Sequence, residues 1–97
     1  MKKFAFILMA PAYDPQKHQC RFEKGQSVTC IFTVRSFEEA EEKVLELYQD
    51  GFGAIELCGA FGKERAARLT GLTNHEGAIG YVVHEPELDP LFDQFFS

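Results

Sequence analysis

Gly53-Ala54-Ile55-Glu56-Leu57-Cys58-Gly59-Ala60-Phe61-Gly62-Lys63 reads as a short apolar strand that enters a glycine-containing turn and opens a helix. A strand, a tight turn and a helix in that order form the repeating unit of parallel α/β architecture. In open parallel sheets ligands sit outside the carboxyl ends of the strands, and a helix N-terminus placed there offers unpaired N–H groups to an anion. Cys58 falls at this junction, so the stretch sets both the expected fold and the first place to look for chemistry.

Outward from this unit the alternation repeats. Residues 3–10, continuously apolar after Lys3, form a short run that suits a first strand covered on both faces. Residues 28–34, rich in β-branched and aromatic side chains, make a second strand. Ser36 and Glu39 then form an S-x-x-E capping box, and Phe37, Ala40, Val44, Leu47 and Tyr48 recur at helical spacing up to Gly51. The third strand is residues 54–58. A helix over residues 61–72 follows it, with a thin buried stripe of Gly62, Ala66 and Leu69. Residues 78–83 form a fourth strand that leaves His84 at its carboxyl end. A last helix starts at Asp89 and Pro90 and places Leu91, Phe92, Phe95 and Phe96 on one side.

The polar segment 11–27 has two readings. Asp14 caps a short helix with Pro15 at its first position, or residues 19–23 pair as a hairpin with the strand that follows. The sequence does not choose between them. The expected architecture is one α/β domain over residues 1–97. It is a compact sandwich on a mostly parallel four-stranded sheet, with the flavodoxin-like strand order 2-1-3-4.

Composition narrows the function classes. The chain has 97 residues, 45% of them hydrophobic, enough to bury roughly 65% of the surface that its unfolded form exposes. A net charge of −5, with Lys and Arg scattered, repels phosphate backbones, so no nucleic-acid partner is expected. Cys20, Cys30 and Cys58 are an odd number without a C-x-x-C pair, which fits neither a disulfide framework nor a zinc knuckle. The N-terminal apolar run and Ala10-Pro11-Ala12 imitate a signal peptide, but the run is at the short limit for one and is read as a strand. The expectation is a cytoplasmic protein without membrane contact, cofactor or metal.

A parallel sheet brings Tyr13, Arg35, Cys58 with Gly59, and His84 to one rim. Alternation along the third strand puts Glu56 and Cys58 on the same face. A thiol at a helix N-terminus is the setting in which cysteines become nucleophilic, and Lys63 breaks the dipole preference of a first turn. The catalytic reading therefore takes Cys58 as nucleophile, His84 as base and Glu56 as orienter. Ligand contacts would come from Gly59, Gly62, Lys63, Arg35 and Tyr13. Against it stands the reading of Cys58 as a small apolar residue in a packed sheet. Gly59-Ala60-Phe61-Gly62-Lys63 matches neither dinucleotide nor P-loop patterns.

Residues 54–62, with Ile79-Gly80-Tyr81-Val82-Val83-His84 and Phe4-Ala5-Phe6-Ile7-Leu8-Met9, resemble a family of short bacterial proteins of about this length classed as a domain of unknown function. The resemblance covers nearly the whole chain and implies a bacterial, stand-alone, cytoplasmic protein. It brings no activity, cofactor or catalytic residue. The leading expectation is a domain that binds a small anionic ligand at the strand-carboxyl rim and self-associates as a homodimer. The alternatives are a cysteine-dependent enzyme acting on a small carbonyl or thioester compound, and a structural or protein-interaction module.

Overall fold

The apolar run at the N-terminus becomes the central strand, β1 (Lys2–Met9), in a computed structural model that describes residues 1–97. It pairs in parallel with β3 (Ser27–Val34) on one side and β4 (Ala54–Leu57) on the other, and β4 pairs in parallel with β5 (Ala78–Tyr81). These four strands stand in the order expected from the sequence. A fifth strand corrects the expected count: β2 (Cys20–Lys24) pairs antiparallel with β3, giving the order β2-β3-β1-β4-β5. Residues 11–27 thus take the hairpin reading. Gly25, at φ 60°, turns the chain between β2 and β3, and no helix forms at Asp14-Pro15. Instead Asp14 Oδ1 accepts the Gln16 amide at 3.0 Å, the Asx-turn alternative to a helix cap.

Helix α1 (Phe37–Gln49) starts where the capping box predicts, with Ser36 Oγ accepting the Glu39 amide at 3.2 Å. The reciprocal bond falls one residue early: Glu39 Oε1 accepts the amide of Arg35, not that of Ser36. At the other end the Phe52 amide reaches Leu47 O and the Gly51 amide reaches Tyr48 O, a Schellman closure that the φ of 89° at Gly51 permits. Helix α2 (Gly62–Leu72) follows β4, and α3 (Asp89–Phe96) follows a single 3-10 turn at Pro86–Leu88.

One core holds the domain. Ala40, Val44 and Leu47 of α1 and Ala66 and Leu69 of α2 meet Ala5, Ile7, Val28, Cys30, Ile55 and Leu57 from the sheet. Both helices therefore lie on the same face of the sheet, as right-handed crossovers running in one direction require. The expectation that the first strand is covered on both faces fails. The connection from β1 to β3 runs through the hairpin rather than a helix, so nothing is supplied for the second face. Phe4, Phe6 and Leu8 of β1, with Thr29 and Ile31 of β3, point to that face and remain half-exposed. Helix α3 covers neither face. None of its residues is buried, and Phe95 and Phe96 are 80% and 76% exposed. The Cα radius of gyration, 13.8 Å, accordingly exceeds the roughly 12.5 Å typical of this chain length.

Candidate functional site

The β1 connection leaves toward β2, whereas the β3 connection crosses back over β1 to β4. The two neighbouring strands thus have onward paths in opposite directions, and the crevice at their carboxyl ends is the topological switch point where open α/β sheets bind ligands. A cleft of about 450 Å³ opens beside it, on the β3 side, between the connection that leaves β1 and the start of α1. One wall is the Asp14-Pro15-Gln16 turn, the floor is Phe32 to Arg35, and the other wall is the edge of α1 with Glu39, Glu42, Lys43 and Glu46.

Local interactions build this cleft. The turn is tied down by the His18 amide on Asp14 O (2.8 Å), by the Asp14 amide on His18 Nδ1 (2.8 Å), and by Thr33 Oγ1 donating to His18 O (2.8 Å). Tyr13 packs edge-on against His18, with ring centroids 5.7 Å apart. Arg35 Nε and Nη2 both donate to Glu39 Oε2, which holds the Glu39 carboxyl below its ordinary range and raises Arg35 above its own. Lys43 Nζ lies 4.1 Å from the centre of the Phe32 ring and 3.7 Å from Glu46. Four carboxylates (Asp14, Glu39, Glu42, Glu46) face two cations here, and only two of the lining residues are hydrophobic. Such a lining suits a small polar molecule that donates hydrogen bonds or carries positive charge.

The residues expected from the sequence are dispersed around this centre. Arg35 lines the cleft and Tyr13 supports its wall. Cys58 lies just past the end of β4 rather than within it, packs against the core, and accepts the Met9 amide on its sulfur at 3.4 Å. Strand alternation stops at Leu57, so Glu56 and Cys58 do not share a face. Glu56 points to the uncovered side, its carboxylate lying where a Cβ on Gly80 would fall. His84 joins neither: its Nε2 sits 2.7 Å from Asp89 Oδ1 and its ring stacks on Phe92 at 3.8 Å. No hydrogen bond links Cys58, His84 and Glu56.

Gly59 and Gly62 flank the turn into α2, and Gly62 has φ 78°. No side chain caps the N-terminus of α2. Lys63 begins the helix beside it without an ion-pair partner. No cluster of three or more His, Cys, Asp or Glu is arranged to hold a metal, and no helix is long and apolar enough to cross a membrane.

Sequence reasoning missed Lys43, Phe32, Glu42 and Glu46. A signal was present: Arg35, Glu39, Glu42 or Lys43, and Glu46 fall at helical spacing along one polar edge, starting at the carboxyl end of a strand that contains Phe32.

A protein-family model described as a family of unknown function (DUF6506) matches residues 2–97. No curated protein and no solved structure matches the chain.

Proposed function

The chain belongs to that family of unknown function, and we propose that it is a binding domain whose ligand, a small polar molecule, occupies the cleft beside the β1–β3 switch point. The observation that carries this reading is the 450 Å³ concavity that borders the crevice the topology favours for ligands, walled by the connections that leave β1 and β3. Its charge balance favours a ligand with amine or hydroxyl donors over the anion expected from the sequence. An anion has its better position at the α2 N-terminus by Lys63, where the first amides lack a side-chain cap.

Binding is favoured over catalysis by the way the reactive groups are used. The Cys58 sulfur receives a backbone amide, and His84 faces Asp89. A nucleophile and base acting together need hydrogen-bond reach of each other.

A thermal-shift screen of the full chain against small amines, polyols, carboxylates and phosphates tests the reading. An amine or polyol that raises the melting temperature, with the effect abolished in the Glu42→Gln/Glu46→Gln double variant, is the expected result. Stabilisation by anions alone, or stabilisation that the double variant leaves intact, contradicts it.

A further inference from the structure

Two apolar surfaces of this chain lack a partner. One is the sheet face that carries Phe4, Phe6, Leu8 and Ile31; the other is the side of α3 that carries Leu91, Phe92, Phe95 and Phe96. A mostly parallel sheet is ordinarily covered on both faces, and an isolated eight-residue helix is too short to persist in water without packing. Each surface needs what the other offers. We propose that two copies of the chain associate by exchanging α3, so that the apolar side of α3 from each copy lies across the uncovered sheet face of the other.

Three observations select a second copy as the occupant. The first is the placement of α3, which stands clear of its own sheet with none of its residues buried. The 3-10 turn at Pro86–Leu88, the His84–Asp89 contact at 2.7 Å and the near-parallel stack of His84 on Phe92 (6° between planes) together fix the helix to His84, past the end of the edge strand β5.

The second is charge. Residues 82–97 contain Glu85, Glu87, Asp89 and Asp93 and neither Lys nor Arg. Lys2 and Lys24 pair with the same residue, Ser27, and border the uncovered face in one row. An acidic apolar helix fits this face at its Lys2–Lys24 border, away from Glu56 on β4, and the chain itself carries such a helix.

The third is area. Leu91, Phe92, Phe95 and Phe96 are 63%, 39%, 80% and 76% exposed. At the surface typical of such side chains, one helix offers about 500 Å². Two helices, each covering at most an equal area of sheet, bury up to about 2,000 Å² in total, the upper end of the roughly 1,200–2,000 Å² of stable pairs.

Because this assembly does not involve the cleft, it stands or falls separately from ligand binding. Sedimentation equilibrium of the full chain at micromolar concentration is expected to give twice the 11.0 kDa chain mass. The Phe95→Asp/Phe96→Asp variant is expected to raise the dissociation constant by about 100-fold or more. Its circular dichroism should stay that of a folded domain, since neither ring is buried in its own chain. In a mixed sample of labelled and unlabelled chains, isotope-filtered NOEs should connect the Phe95 and Phe96 rings to the Leu8 and Ile31 methyls of the partner. A monomeric wild type overturns the proposal, as does a dimer that survives the double variant. So do NOEs that run only between the two α3 helices or only within one chain.

Discussion

Replacing Cys58 by alanine separates a structural sulfur from a chemical one. The Met9 amide donates to Cys58 Sγ at 3.4 Å, one step beyond the last β1–β4 pair, and the Cys58 amide returns to Ile7 O at 3.0 Å. The sulfur therefore prolongs the sheet ladder past the point where backbone pairing ends. Alanine leaves the half-buried Met9 amide without that acceptor, a loss that ordinarily costs about 1–3 kcal/mol. A thioether or thiol sulfur accepts weakly, so the lower end applies. Lost packing of the sulfur against the core adds less than the ~0.8 kcal/mol of a buried methylene. The sum is about 1.5 kcal/mol, equivalent to a fall in melting temperature of about 6–12 °C for a domain of this size. Serine, which keeps an acceptor, should lose about half as much. Urea unfolding followed by circular dichroism gives the stability difference, and hydrogen exchange at Met9 gives the local one. An alanine variant within about 0.3 kcal/mol of wild type, with unchanged protection at Met9, refutes the reasoning and returns Cys58 to the list of chemical candidates.

The two glycines of the α2 turn should respond oppositely to alanine. Gly62, at φ 78° in open space, should lose about 1–2 kcal/mol from backbone strain alone, whereas Gly59, whose added methyl would meet only Val82 O at 3.8 Å, should be tolerated; paired urea titrations compare them. Thr73 is fully buried, and its Oγ1 donates to Thr70 O and accepts the Gly77 amide. Thr73→Val keeps the shape but strands that amide, so a loss of about 1–3 kcal/mol is expected by chemical denaturation, together with faster exchange at Gly77. The Glu39 carboxyl is depressed by Arg35, so its contribution to stability is complete above the unfolded value and is lost as pH falls through the folded one. Urea midpoints should therefore decline below about pH 4.3, and Glu39→Gln should make that decline shallower; an unchanged slope contradicts the assignment.

Much of the fold was legible because local and global signals agreed. The capping box at Ser36 and Glu39, the helical spacing of Ala40, Val44 and Leu47, and the αL stop at Gly51 each correspond to an observed feature. The order of the four parallel strands matches the flavodoxin-like expectation, which rested on the alternation of elements, since handedness fixes the face a crossover helix takes and not the strand order. The fifth strand was legible only as one of two options, because residues 20–24 carry alternating polar and apolar groups without a buried face, and their pairing is decided by β3.

The site was less legible, for a physical reason. Periodicity carries Cys58 onto the Glu56 face only if the strand continues, and the strand ends at Leu57 before the Cys58–Phe61 turn. His84 follows β5, but its partner is chosen by the 3-10 turn that brings Asp89 and Phe92 back onto it, a contact with no sequence period. The cleft joins a turn near residue 14 to a helix edge near residue 43, and that proximity arises only from strand order.

Chemical-shift mapping on ¹⁵N-labelled full-length chain, titrated with the tightest amine or polyol from the thermal screen, tests the central claim most directly. The account predicts saturable shifts clustered at Asp14 to Gln16, Val34 to Glu39 and Lys43. Shifts centred on Gly59 to Lys63, or scattered without saturation, contradict it.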